Sequence, residues 1–120
     1  MAKGDDIEER LIDFAVMVIV LCEKMPETRA GRHVAGQLVR SGTSPAPQYG
    51  EARGAESRRD FVHKLRICLK ELNESRIWLE IAKRSTMAPA AKLQPVLNEC
   101  DELCRIISSS IQTATVRTPN

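Results

Sequence analysis

The chain has 120 residues, 42% of them hydrophobic and 28% charged, with a formal net charge of +2. These are the proportions of an ordinary soluble globular protein, long enough to bury one core without disulfide or metal staples, and they predict a single domain over residues 1–120. No apolar run reaches the roughly 18 residues that a membrane span needs; the 3% aromatic content leaves Val, Ile, Leu and Ala to carry the core, as helix packing prefers.

The first predicted helix spans about residues 6–25, with Asp5 or Asp6 as cap and Glu8 and Glu9 in its first turn. Ile7, Leu11, Phe14, Ala15, Val18, Cys22 and Met25 recur at helical spacing as its buried stripe. Ile12, Val16, Ile19 and Val20 form a second apolar flank, wider than one bundle contact requires. Either that helix is buried all round, or the flank of Ile12, Val16 and Ile19 meets another subunit. Pro26 ends the helix.

A second helix over about 28–54 presents mostly small or polar inner residues, Val34, Gln37, Leu38, Ser41, Ser44, Gln48 and Ala52. Pro45 and Pro47 predict a kink or break near Thr43–Pro47, where the hydroxyls of Ser41, Thr43 and Ser44 are available to the freed carbonyls. The third helix, about 58–84, starts at Ser57 with Asp60 three residues on, which resembles a capping box. Phe61, Leu65, Cys68, Leu72, Ser75, Leu79 and Ala82 then follow a seven-residue repeat. Trp78 lies on a neighbouring stripe and is either a core residue or a second anchor of a subunit interface. The fourth helix, about 89–114, opens at Pro89, carries Leu93, Leu97, Cys100, Cys104, Ile107, Ile111 and Ala114, and frays from Thr115. Four such helices with short connections predict an all-α, up-down-up-down antiparallel four-helix bundle with a proline-kinked second helix.

Charge is unevenly spread. Residues 1–27 hold three basic and seven acidic side chains, whereas residues 28–70 hold nine basic and three acidic. Arg53, Arg58, Arg59, Arg66 and Lys70 are the candidates for a phosphate-contacting surface; the alternatives are a solvated face or pairing with the acidic first helix. Arg40, Glu51, Glu71 and Glu74 are read as a structural polar network that fixes helix register.

Catalytic motifs are missing. There is no phosphate-cradling glycine loop, nucleophile elbow or His-Glu-x-x-His. Cys100 and Cys104 have the spacing of helical metal ligands, and Cys68 shares their layer in this reading, but all four cysteines occupy apolar stripe positions. His33 and His63 lie apart. No metal, cofactor or enzyme activity is expected. With no export signal in MAKGDDIEER, the four cysteines are read as reduced thiols of a cytoplasmic protein.

The segment from Gln37 to Ala82 resembles the core signature of the four helix bundle protein family, first noted as reading frames in intervening sequences of bacterial 23S ribosomal RNA genes. The residues that carry the likeness are Gln37, Leu38, Arg40 and Ser41; Ser44, Gln48, Glu51 and Ala52; Ser57, Asp60 and Phe61; and Leu69 and Glu71. It extends from about Phe14 to Ser110, with Gln48 where Asn is usual, Ala52 where Gly is common, and prolines at 45 and 47 instead of one between. The resemblance implies a ring-shaped homo-oligomer, typically a pentamer, with no established enzyme activity. It further implies an adaptor associated with RNA or DNA, or with a nucleic-acid enzyme such as a reverse transcriptase, as in the accessory proteins of diversity-generating retroelements. The alternative is a protein-interaction scaffold with no nucleic-acid role, its basic middle paired with a neighbouring subunit.

Overall fold

Each apolar repeat becomes one limb of a helical bundle. The computed structural model describes residues 4–116, with α1 (Asp5–Glu23), α2 (Arg29–Thr43), α3 (Pro45–Arg53), α4 (Arg58–Arg84) and α5 (Ala90–Val116), and no strand among the described residues. The limbs close a circuit: α1 packs on α2 and α3, these pack on α4, α4 packs on α5, and α5 returns to α1. α1 and α4 occupy diagonal corners, their backbones held apart by the shared core. The result is the up-down-up-down antiparallel bundle, drawn out to 50 × 28 × 19 Å. Leu11, Phe14, Leu65, Leu72, Leu79 and Leu103 have no accessible surface in its core, where full burial of one such side chain contributes about 1.5–3 kcal/mol.

Helix ends follow local chemistry, with corrections. α1 starts one residue earlier than expected and ends at Glu23; its cap position is Gly4, in the left-handed region at φ 94°, while Asp5 and Asp6 lie inside the first turn. There the carboxylates oppose the helix dipole's positive end instead of capping it. Thr28 caps α2 by accepting from the Gly31 N–H at 3.0 Å, and Ser57 caps α4 by accepting from Asp60 N–H at 3.0 Å. Pro89 is not the first helical residue but the one before it: its carbonyl accepts from Lys92 and Leu93. α5 continues to Val116. The fraying expected from Thr115 does not occur at Thr115 and Val116, which are helical; the rest of that expectation falls on residues 117–120, outside the described residues.

The second limb is bent at Ser44 into α2 and α3. One break there turns Pro45 and Pro47 into first-turn residues of α3, where backbone N–H groups lack intrahelical acceptors in any case. The hydroxyls act differently from expectation: Thr43 donates to Val39 O at 2.6 Å and Ser44 to Arg40 O at 2.7 Å, one turn back. They do not reach the carbonyls that the prolines leave free; such back-bonding instead tilts the helix. Gly42 lets α1 come close: a Cβ there would lie 2.8 Å from both γ-carbons of Val18.

α4 ends in a Schellman motif, Met87 N–H to Ala82 O and Thr86 N–H to Lys83 O, with Thr86 at φ 53° where glycine is the usual residue. A β-branched residue in that region costs roughly 1–2 kcal/mol. Thr86→Gly is therefore expected to stabilise the protein by about 1 kcal/mol after glycine's own entropy cost, read as a higher urea midpoint; a lowered midpoint would contradict this account.

Candidate assembly and binding surfaces

Two apolar stripes remain uncovered. On α1, Ile12, Val16, Ile19 and Val20 are 42, 53, 42 and 52% accessible. They lie opposite the face that buries Leu11, Phe14, Val18 and Leu21, so α1 is not a helix buried all round within the protomer. On α4, Ile77 and Ile81 are 49 and 38% accessible. Trp78 beside them is half-buried: its indole N–H donates to Glu74 Oε2 at 3.1 Å, and its ring meets His33 edge-on at a centroid distance of 5.7 Å. The side chains that α4 offers outward are thus the two isoleucines more than the tryptophan. Position in the repeat signalled this, because Ile77 and Ile81 are a helical turn apart on the side away from Leu72 and Leu79.

The five basic candidates divide. Arg53, at the end of α3, binds the acidic first turns of α1, with Nη2 2.8 Å from Asp5 Oδ1 and Nη1 3.2 Å from Glu8 Oε1. Arg58 turns into a groove at the end of the bundle. Arg59, Arg66 and Lys70 are exposed and, at helical spacing, continue the outward stripe that ends in Ile77 and Ile81; among the described residues none of the three has an ion-pair partner.

Of the polar network, Arg40, Glu71 and Glu74 come together and Glu51 does not. Arg40 Nη1 lies 3.2 Å from Glu71 Oε2, and its Nη2 pairs with Glu74, whose carboxylate also takes the Trp78 N–H. Beneath the pair, the fully buried hydroxyls of Ser41 and Ser75 share a hydrogen bond of 2.9 Å across the α2–α4 contact. Glu51 is more than half exposed and pairs with Lys64 at 3.2 Å, because the bend at Ser44 breaks the single helical register that would align it with Arg40. On the opposite seam, Arg10 binds Glu99 through two nitrogens at 3.1 and 2.7 Å and ties α1 to α5.

The thiols have acceptors of their own. Cys68 points to Pro45 O, Cys100 to Leu72 O and Cys104 to Asn73 Oδ1, at 3.5, 3.3 and 3.6 Å. Among the described residues no three His, Cys, Asp or Glu side chains are placed to hold a metal ion, and no helix is long and apolar enough to cross a membrane. Burial pushes the Cys22 thiol up to about 11 and Cys68 up to about 12. The neighbouring Cys100 thiol lowers Cys104, with Arg76 and Arg105 nearby adding to the effect, and Cys100 itself is raised. At neutral pH, iodoacetamide is expected to modify Cys104 first, since the thiolate is the nucleophile. Peptide mapping that found Cys68 or Cys100 labelled earlier would refute this assignment.

A family model described as 23S rRNA-intervening sequence protein matches residues 5–109 of the chain. Among solved structures, a protein of unknown function from the S23 ribosomal protein family of Bacteroides thetaiotaomicron superposes with a TM-score of 0.81 at 31% identity, over 88% of this chain and 97% of that one. No curated protein matches.

Proposed function

The chain belongs to the 23S rRNA-intervening sequence protein family, and from that footing we propose that it is a non-enzymatic, homo-oligomeric adaptor whose protomers join head to tail, α1 of one against α4 of the next. The observation that carries this reading is the pair of uncovered apolar stripes on diagonal corners of the bundle. One self-complementary patch makes a two-fold dimer, whereas two different patches make a heterologous contact, which gives a ring when the rotation between protomers closes and an open filament when it does not. The resemblance to relatives implies five members.

Charge supports a specific register. α1 and α4 run the same way within the protomer, so around a ring axis along the bundle they also run parallel across the contact. Counting from a charge, Glu9, Val16, Val20 and Glu23 have the spacing of Lys70, Ile77, Ile81 and Arg84. Acid then meets base at both ends, and aliphatic meets aliphatic between them. The test is a charge exchange followed by light scattering coupled to size exclusion. Lys70→Glu is expected to shift the assembly toward monomer and Glu9→Lys with Lys70→Glu to restore it. A double variant no better assembled than the single one would dismiss the register.

A second reading has its own observation: Arg59, Arg66 and Lys70 form an exposed basic stripe with no ion-pair partner among the described residues. Such a stripe suits a nucleic-acid backbone or the RNA carried by a nucleic-acid-processing enzyme, a reverse transcriptase by resemblance. The two uses compete for Lys70. RNA bound by this stripe is released as salt rises, with a logarithmic slope of about −2 to −3 for three phosphate contacts, and RNA then dissolves the ring instead of joining it.

A further inference from the structure

At the end of the bundle where α1 begins and α5 ends, the limbs leave an open groove of about 1160 Å3. Ile7, Phe61 and Ile106 give it apolar walls, and serine and threonine hydroxyls of α5 line its outer side. Tyr49 stands in it. That residue is only 5% accessible, and its hydroxyl, which makes no hydrogen bond among the described residues, is the tip that reaches the groove. The groove stays open above it because residue 4 is glycine: a Cβ there would lie 2.8 Å from Tyr49 Oη and 3.3 Å from Arg53 Nε.

The charges around the groove leave one sign in excess. Arg53 is occupied by Asp5 and Glu8. Glu102 is occupied by Arg105 at 2.7 Å, which holds its carboxyl below the usual range. Arg58 lines the groove with no ion pair among the described residues. It is also the first residue of the 27-residue α4, whose opening N–H groups are a positive pole that Ser57 caps only at Asp60. Among the described residues, the groove-facing O–H of an otherwise buried tyrosine, a guanidinium without an ion pair and a helix start therefore face one apolar-walled space.

We infer that this groove binds a small amphipathic oxyanion, a carboxylate or a phosphate monoester, whose head accepts hydrogen bonds from Tyr49 and Arg58 and whose apolar tail lies along Ile7, Phe61 and Ile106. The site is built within one protomer and stands or falls separately from the assembly contact.

Calorimetric titration of the full chain with octanoate, octyl phosphate and 1-octanol tests it. At least one anion is expected to bind once per protomer, at least tenfold more tightly than the alcohol, and the preferred anion identifies the head group. Arg58→Gln and Tyr49→Phe are each expected to weaken that anion about tenfold, the loss of one charge-assisted or neutral hydrogen bond, while Lys83→Gln, exposed at the other end of α4, changes nothing. Tyr49→Phe keeps its thermal midpoint, since the hydroxyl makes no hydrogen bond among the described residues. Equal affinity for octanol, no binding by either anion, or binding abolished by Val16→Glu but untouched by Arg58→Gln would each overturn the site; the last would place the probe on the α1 stripe.

Discussion

Val16→Glu is expected to convert the proposed oligomer to monomers while leaving helix content and cooperative unfolding unchanged. Val16 is 53% accessible in the protomer and touches solvent on the face away from the core, so a polar residue there changes protomer stability by no more than about 0.5 kcal/mol. In the contact the same position faces Ile77 of the neighbour under the proposed register, and a carboxylate buried without a partner costs about 3 kcal/mol or more. That is more than a hundredfold in each subunit contact, repeated at every joint of a ring. Light scattering reports the mass and circular dichroism the helix content. An unchanged mass for the variant, or a wild-type protein already monomeric at tens of micromolar, would remove α1 from any subunit interface.

Gly31→Ala is expected to destabilise the protein by about 3 kcal/mol, the upper range for forcing volume into a filled space. Gly31 sits in the first turn of α2, buried against the chain that leads out of α1; an added Cβ would stand 2.1 Å from Pro26 O and 3.1 Å from Thr28 Oγ1. The Pro26 carbonyl belongs to the backbone and cannot step aside as a flexible side chain would. Moving it shifts the α1–α2 turn and the Thr28 cap with it. Gly36, five residues along the same helix, has nothing within 4 Å of its Cβ position, so Gly36→Ala should gain up to about 1 kcal/mol from helix propensity alone. Urea unfolding at one fixed protomer concentration compares them. Shifts of the same sign would show that steric space does not set these positions apart.

Much of the bundle was legible because its signals are local. The α4 stripe from Leu65 to Ala82 repeats every seven residues and is buried throughout, and Ser57 announces its start. The break near Pro45 and Pro47 was legible for the same reason, since each proline removes a known donor. Val96 and Leu103 were missed on α5, although they flank Cys100 at helical spacing and are buried while Cys104 is only half so. The surfaces were less legible. The α1 stripe shows in the sequence as apolar residues in excess of one face. By contrast, Arg53 with Asp5 joins residues 48 apart, and the groove draws on both ends of the chain's described span. Only the packed limbs bring Tyr49, Arg58 and Ile106 together, and no spacing encodes that.

The bend at Ser44 also governs how force passes through the molecule. An unbroken helix is a stiff rod that carries a push from one end to the other, whereas two rods meeting at a bend deliver part of it sideways. α2 holds the Arg40 and His33 end of the limb, and α3 holds Tyr49 and the Arg53 clamp on α1. A disturbance at the groove is therefore passed across to α1 through Asp5 and Glu8 sooner than along its own limb to Arg40. α1, which offers one outward stripe, is thus clamped directly at the groove, whereas the Arg40 cluster is tied to the groove through α4, on which Glu71 and Glu74 lie.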